Sequence, residues 1–225
     1  MKYKVIYCDP PWTYDDKCHS GERGVEYKYN TMTLSDIKFL NISKYADSDC
    51  ALFLWATMPM IPDALKVMNA WGFKYKTVAF VWVKTPRGKE PSLKFSRNDI
   101  LRWFHDGKAV VVNILDYIKW HWGMGNWTRA NSEVVLLGIK GKPKRVSKSV
   151  HSIVLSQVRE HSRKPDEVRD RIVELMGDVP RLEMFARPPI VNGWDVWGND
   201  VNNDVDIGPY KVDKVLLNEK FLKIN

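Results

Sequence analysis

At 225 residues the chain suffices for a single domain whose hydrophobic core needs neither disulfides nor a metal to hold it. A formal charge of +8 favours a polyanionic partner, nucleic acid before others. No stretch is long and apolar enough to span a bilayer and no signal-peptide pattern opens the chain, so no membrane partner is expected, and the location expected is the cytoplasm.

Residues 4–8 form a short apolar run that predicts a buried strand, and it leads directly into Asp9-Pro10-Pro11-Trp12. Residues 34–40 predict a helix, with Thr33 as its N-cap and Asp36 completing a capping-box-like pattern. The continuous apolar run 51–56 predicts a second strand. Residues 62–71 then predict a helix with proline near its start and Gly72 just past its end. Further strands are predicted at 78–83, 134–139 and 182–186, and a helix at 165–176 that stops at Gly177. Apolar strands alternating with helices indicate an α/β fold, a mostly parallel sheet with helices on both faces. In such sheets ligands bind at the carboxyl ends of the strands, and Asp9 follows a strand.

Residues 1–200 are expected to form the domain, with an insert at about 86–124 and a mixed tail at 201–225. An insert this long is usually functional. It interleaves Arg97, Arg102, Lys108 and Lys119 with Trp103, Trp120 and Trp122, a pattern suited to DNA engagement or to a homodimer interface. The run Lys142, Lys144, Arg145 and Lys148 reads either as a solvated surface or, beside a base-binding site, as a phosphate contact. Cys8, Cys18 and Cys50 are an odd set without paired metal spacing, which suits a reducing compartment. Cys18-His19 lacks a second ligand pair, so no metal is expected.

Two readings fit Asp9-Pro10-Pro11-Trp12. One is a turn after a strand with Trp12 in the core. The other is a site for an amine-bearing nucleobase, whose nitrogen lone pair is delocalised into the ring. There Asp9 accepts one amine hydrogen, the Pro10 carbonyl accepts the other, Pro11 stiffens the turn, and Trp12 stacks on the base. Drawing both hydrogens out of the ring plane aims the lone pair at an electrophile.

With Tyr29-Asn30-Thr31-Met32, Phe53-Leu54-Trp55, Trp82-Val83-Lys84-Thr85, Gly125-Asn126-Trp127-Thr128-Arg129, Ser162-Arg163-Lys164-Pro165-Asp166-Glu167, Arg181-Leu182-Glu183-Met184-Phe185-Ala186-Arg187, and Gly193-Trp194 with Gly198-Asn199, the motif forms an ordered series. This series resembles the adenine N(6)-methyltransferases typified by the catalytic subunit of the eukaryotic mRNA adenosine methyltransferase, and it covers most of the chain. The resemblance implies a Rossmann-like fold that uses S-adenosylmethionine, with the catalytic motif ahead of the cofactor segments. It implies cofactor contacts from Asp9, Lys164, Phe185, Arg187, Asn199 and Asp200. Substrate contacts are implied for Trp12, Tyr29, Trp55, Trp82, Trp127 and Arg129, core packing being the alternative for the tryptophans. Glu183 is read as supporting Tyr29 or a loop, and Glu133 as bonding the substrate loop or Arg129.

Two departures from the family matter. The chain starts almost at the catalytic motif, so other segments are expected to complete the adenine pocket that a preceding strand and loop help form in the mRNA enzyme, and the segment after Thr85 is longer. The leading expectation is a bacterial or phage DNA adenine methyltransferase that flips its target base. RNA as the polymer, or a non-catalytic nucleic-acid-binding partner of a methyltransferase, are the alternatives.

Overall fold

The computed structural model describes residues 1–13, 31–88, 104–105, 108–109, 120–123, 125, 127–160 and 163–208. Its larger sheet has seven strands: β1 (Tyr3–Cys8), β2 (Ala46–Ala56), β3 (Lys74–Thr85), β6 (Ser132–Lys140), β7 (Ile153–Gln157), β8 (Arg181–Met184) and β9 (Asp195–Trp197), ordered β7-β3-β6-β2-β1-β8-β9. Two short strands, β4 (Phe104–His105) and β5 (Lys108–Ala109), pair separately. The helices are α1 (Leu34–Phe39), α2 (Ile61–Ala70) and α3 (Glu167–Met176). The sheet is mixed. β1 runs parallel to β2 and β8, β8 to β9, and β3 to β7, while β2 and β6 are antiparallel.

The described residues divide into two compact units, those within 1–79, 134–150 and 172–208 in the first and those within 80–133 and 151–171 in the second. In the first, β2 is buried without interruption from Cys50 to Ala56, because both its faces are covered. Helix α1 starts as its sequence predicts, with the Thr33 hydroxyl accepting the Asp36 N–H at 3.1 Å. Helix α2 buries Ala64, Val67 and Met68, and the Trp71 indole after it donates to the Ile37 carbonyl at 2.9 Å. In the second unit, β7 ends the strand order, and Arg171 donates to the carbonyls of His151 and Ile153 at 2.6 and 2.7 Å. Backbone acceptors beside this strand are thereby satisfied.

The cysteines Cys8 and Cys50 are free and buried. Burial and, secondarily, the Asp9 charge push the Cys8 thiol up. Burial takes Cys50 to about 12. Among the described residues no helix is long and apolar enough to cross a membrane and no cluster could hold a metal ion. Tyr29, Cys18, His19, Arg97, Arg102, Trp103, Lys119 and the tail from residue 209 lie outside the described residues.

Candidate active site

Strand β1 gives way at Asp9-Pro10 because proline has no N–H with which to continue the ladder. One residue beyond the pairs Cys8–Leu54, Cys8–Met184 and Met184–Trp197, the register brings Asp9, Trp55, Phe185 and Gly198 to one level at the carboxyl edge of the parallel strands of the first unit. The turn after Asp9 is held from several sides. The Trp12 N–H donates to the Pro10 carbonyl, the Met32 N–H to the Pro11 carbonyl and the Thr13 hydroxyl to the Met32 carbonyl, each at 2.9 Å. The Pro10 carbonyl retains a second lone pair for a ligand. Asp9 is half-buried beside it.

The aromatic expectations need correction. Trp12 is buried, and its indole N–H donates to the Trp55 carbonyl at 3.3 Å, so it braces the turn instead of offering a stacking face. Trp55 is 0% exposed, with its N–H donated to the Tyr7 hydroxyl at 2.7 Å, and is a core residue. Trp82, in the second unit, is also buried, donating to the Ser156 carbonyl at 3.0 Å under the Lys84 ammonium, which stands 4.8 Å above its ring. Indole N–H groups in a core need acceptors, and all three tryptophans have one.

At the exits of β8 and β9, Phe185 adopts a φ of +60°, a conformation a bulky side chain rarely takes. Its ring is buried edge-on to Trp197, with centroids 5.3 Å apart. The Ala186 N–H donates to the Trp197 carbonyl at 3.0 Å, and a Cβ on Gly198 would stand 2.3 Å from the Ala186 carbonyl oxygen, so only glycine lets the two exits approach. Strain retained at a sheet edge is a pointer to function. Nothing in the sequence signalled it. Beyond this contact Arg187, Asn199 and Asp200 are exposed, while Glu183, level with Tyr7 and Val196, is half-buried.

In the second unit the Glu133 carboxylate receives two ammonium groups, Lys84 at 2.6 Å and Lys164 at 2.8 Å. Burial pushes this carboxyl upward, but Lys164 and Lys84 outweigh it and hold the group at about 2. The expectation that Glu133 bonds Arg129 or the substrate loop is thereby corrected, and Lys164 is carboxylate-paired, not solvated. A lysine ending the apolar run Phe80-Val81-Trp82-Val83 was the available signal for Lys84. Asp166 accepts Arg159 and Arg169, so that motif scaffolds the start of α3. On the surface of this unit Trp127 is 100% exposed, and the Arg129 guanidinium lies 4.7 Å over the ring of Trp122.

The basic loop is corrected in place. Lys140 pairs with Cys50 at the start of the apolar stretch of β2, whereas Asp9 leaves β1 past the partner of Leu54. Lys142, Lys144, Arg145 and Lys148 therefore leave the sheet at the edge opposite Asp9 and do not flank it.

The mixed sheet, whose strand β1 delivers a fixed Asp-Pro-Pro-Trp turn to its carboxyl edge, is an α/β Rossmann-like fold of the methyltransferase class. The chain belongs to the MT-A70 family, which it matches over residues 3–107 and 108–200. It is 29% identical to the type II methyltransferase M.MunI of a Mycoplasma species over 92% of this chain and 81% of that protein. It is 27% identical to the human N(6)-adenosine-methyltransferase catalytic subunit METTL3, and 28% to an Arabidopsis thaliana MT-A70-like N(6)-adenosine-methyltransferase. Each of these two matches covers 89% of this chain but only 28% and 24% of the relative, so the chain spans about a quarter of the eukaryotic proteins.

Proposed function

We propose that the chain transfers a methyl group from S-adenosylmethionine to the exocyclic amine of an adenine flipped out of DNA. The observation that carries this is the Asp9 turn: a half-buried carboxylate beside a carbonyl with a lone pair to spare, fixed by backbone bonds at the carboxyl edge of β1. Methyltransferases of this family generally use S-adenosylmethionine. The donor set at the same edge fits it. Asn199 and Asp200, exposed side by side after the close Gly198–Ala186 approach, suit the ribose hydroxyls, and Arg187 and Asp9 supply charges of both signs. When bound, the cofactor supplies a methyl group on a sulfonium centre.

The protein's own part is orientation. Asp9 and the Pro10 carbonyl accept the two amine hydrogens, pull them from the ring plane and direct the lone pair outward. The buried Trp12 and Trp55 hold that turn from behind and so keep the two acceptors in register. DNA is the polymer favoured, because the relative comparable in length is the type II methyltransferase, whereas the relatives named for the ribonucleoside adenosine are several times longer.

Tritiated methyl transfer to long mixed-sequence DNA and to matched RNA, followed by nucleoside mass spectrometry, tests the reading. N(6)-methyldeoxyadenosine is the expected product. Label confined to RNA would transfer the proposal to that polymer, and label on cytosine or on neither polymer would overturn it.

A further inference from the structure

We propose that the loop between β6 and β7 is a second nucleic-acid contact, gripping phosphates of the substrate well away from the target base. The inference rests on the methyltransferase reading of the Asp9 edge and adds where the substrate must extend.

Position comes first. Counting from Lys142 back to Lys140, along β2 from Cys50 to Leu54 and on to Asp9 spans seven residues, roughly 20 Å at the usual strand rise. That is about six base pairs of duplex. The loop therefore cannot touch the flipped nucleotide, and a grip there acts on a flank.

Rigidity comes second. The Lys142 N–H donates to Asp49 Oδ1 at 2.6 Å, and the Val146 N–H donates to the Leu175 carbonyl at 2.8 Å. Gly141 turns the chain at a φ of +65°, and a Cβ there would stand 2.1 Å from the Ser48 carbonyl oxygen. The loop is thus pinned near both ends, unlike a solvated lysine tract that spreads to relieve repulsion.

Charge comes third. Lys142, Lys144, Arg145 and Lys148 are exposed, and among the described residues none of their side chains forms an ion pair. Asp49 spends an oxygen on the Lys142 backbone, not on its ammonium. The start of β1 adds Lys2, whose ammonium donates to the Lys44 carbonyl at 2.7 Å on this same edge. Four like charges held on a pinned loop repel one another, and a phosphate backbone offsets that repulsion by releasing its own counterions. Contacts of this kind position a strand and carry no sequence information.

The test is the variant K142S/K144S/R145S/K148S, with the charge-conserving K142R/K144R/R145K/K148R as control and circular dichroism to verify folding of both. Binding of a 40-base-pair duplex is followed by fluorescence anisotropy from low to moderate salt. The serine variant should bind at least tenfold more weakly, with a log–log salt slope shallower by about 2–4, while the control follows wild type. On duplexes carrying one unmethylated target site with about three or about fifteen base pairs on each side, the long-to-short ratio of kcat/KM should fall at least tenfold in the serine variant. An unchanged salt slope, or equal losses on both duplexes, would overturn the inference. A wild type that methylates neither DNA nor RNA would refute the methyltransferase reading instead, and the salt slope would still decide the loop.

Discussion

Replacing Glu133 with glutamine isolates the electrostatics at the start of β6. In the folded protein Lys164 at 2.8 Å and Lys84 at 2.6 Å hold the carboxyl at about 2, against an ordinary value of 4.5. Each pH unit by which the group is held down corresponds to about 1.4 kcal/mol, so the ionised form contributes about 3 kcal/mol to stability at neutral pH. A depressed carboxyl stabilises fully above its unfolded value and loses that contribution as pH falls through its folded value. The advantage of wild type over Glu133→Gln should therefore be constant above about pH 5 and shrink as pH falls from 4.5 toward 2. Urea unfolding across pH 3 to 8, with far-ultraviolet circular dichroism as the probe, measures the difference directly. Because the glutamine also leaves two ammonium groups facing each other, the neutral-pH loss should be no smaller than about 2 kcal/mol. A variant within 0.5 kcal/mol of wild type at pH 7, a margin set by the usual scatter of neutral surface changes, would show that the lysines do not hold this carboxylate, and a gap independent of pH would refute the assignment to its charge.

Tyr7→Phe removes the acceptor of the buried Trp55 N–H and should cost about 1–3 kcal/mol of stability by urea unfolding; no loss would mean that the indole is satisfied elsewhere. Gly141→Ala forces a methyl group against the Ser48 carbonyl at positive φ and should lower stability by at least about 1 kcal/mol, read as a fall in melting temperature. Asn199→Ala and Arg187→Ala should each weaken S-adenosylmethionine binding about tenfold by calorimetry, as expected when one polar contact worth about 1.4 kcal/mol is lost. Unchanged affinity in both would remove the exits of β8 and β9 from the cofactor site.

The elements with unbroken apolar runs were legible in the sequence. The runs at 51–56 and 134–139 are the cores of β2 and β6, and Thr33 and Gly72 mark helix boundaries as their chemistry requires. Strand β7 is not legible in the sequence because its polarity runs against its alternating burial: apolar Ile153 and Leu155 face outward while polar Ser156 faces inward beside Val154. β9 is three residues long and is recognisable only through its pairing with β8. In the site, the Asp9 turn could be read from residue types because proline dictates its own backbone. Core and ligand faces of tryptophan could not be told apart. Trp12, Trp55 and Trp82 are fixed by N–H acceptors from residues distant in sequence, whereas Trp127, between Asn126 and Thr128-Arg129, is fully exposed. The basic loop was misplaced for a related reason, since only the antiparallel register of β2 and β6 reveals which edge it leaves.

On the proposed function, Asp9 orients an amine for methyl transfer and does not hold the fold. Tritiated methyl transfer to DNA by the Asp9→Ala variant, in parallel with its melting temperature and its calorimetric affinity for S-adenosylmethionine, tests it most directly. Loss of an interaction made in the transition state predicts a turnover reduced by at least about 10²-fold in a protein that melts as wild type does. Turnover within a few-fold of wild type in the folded variant would contradict it.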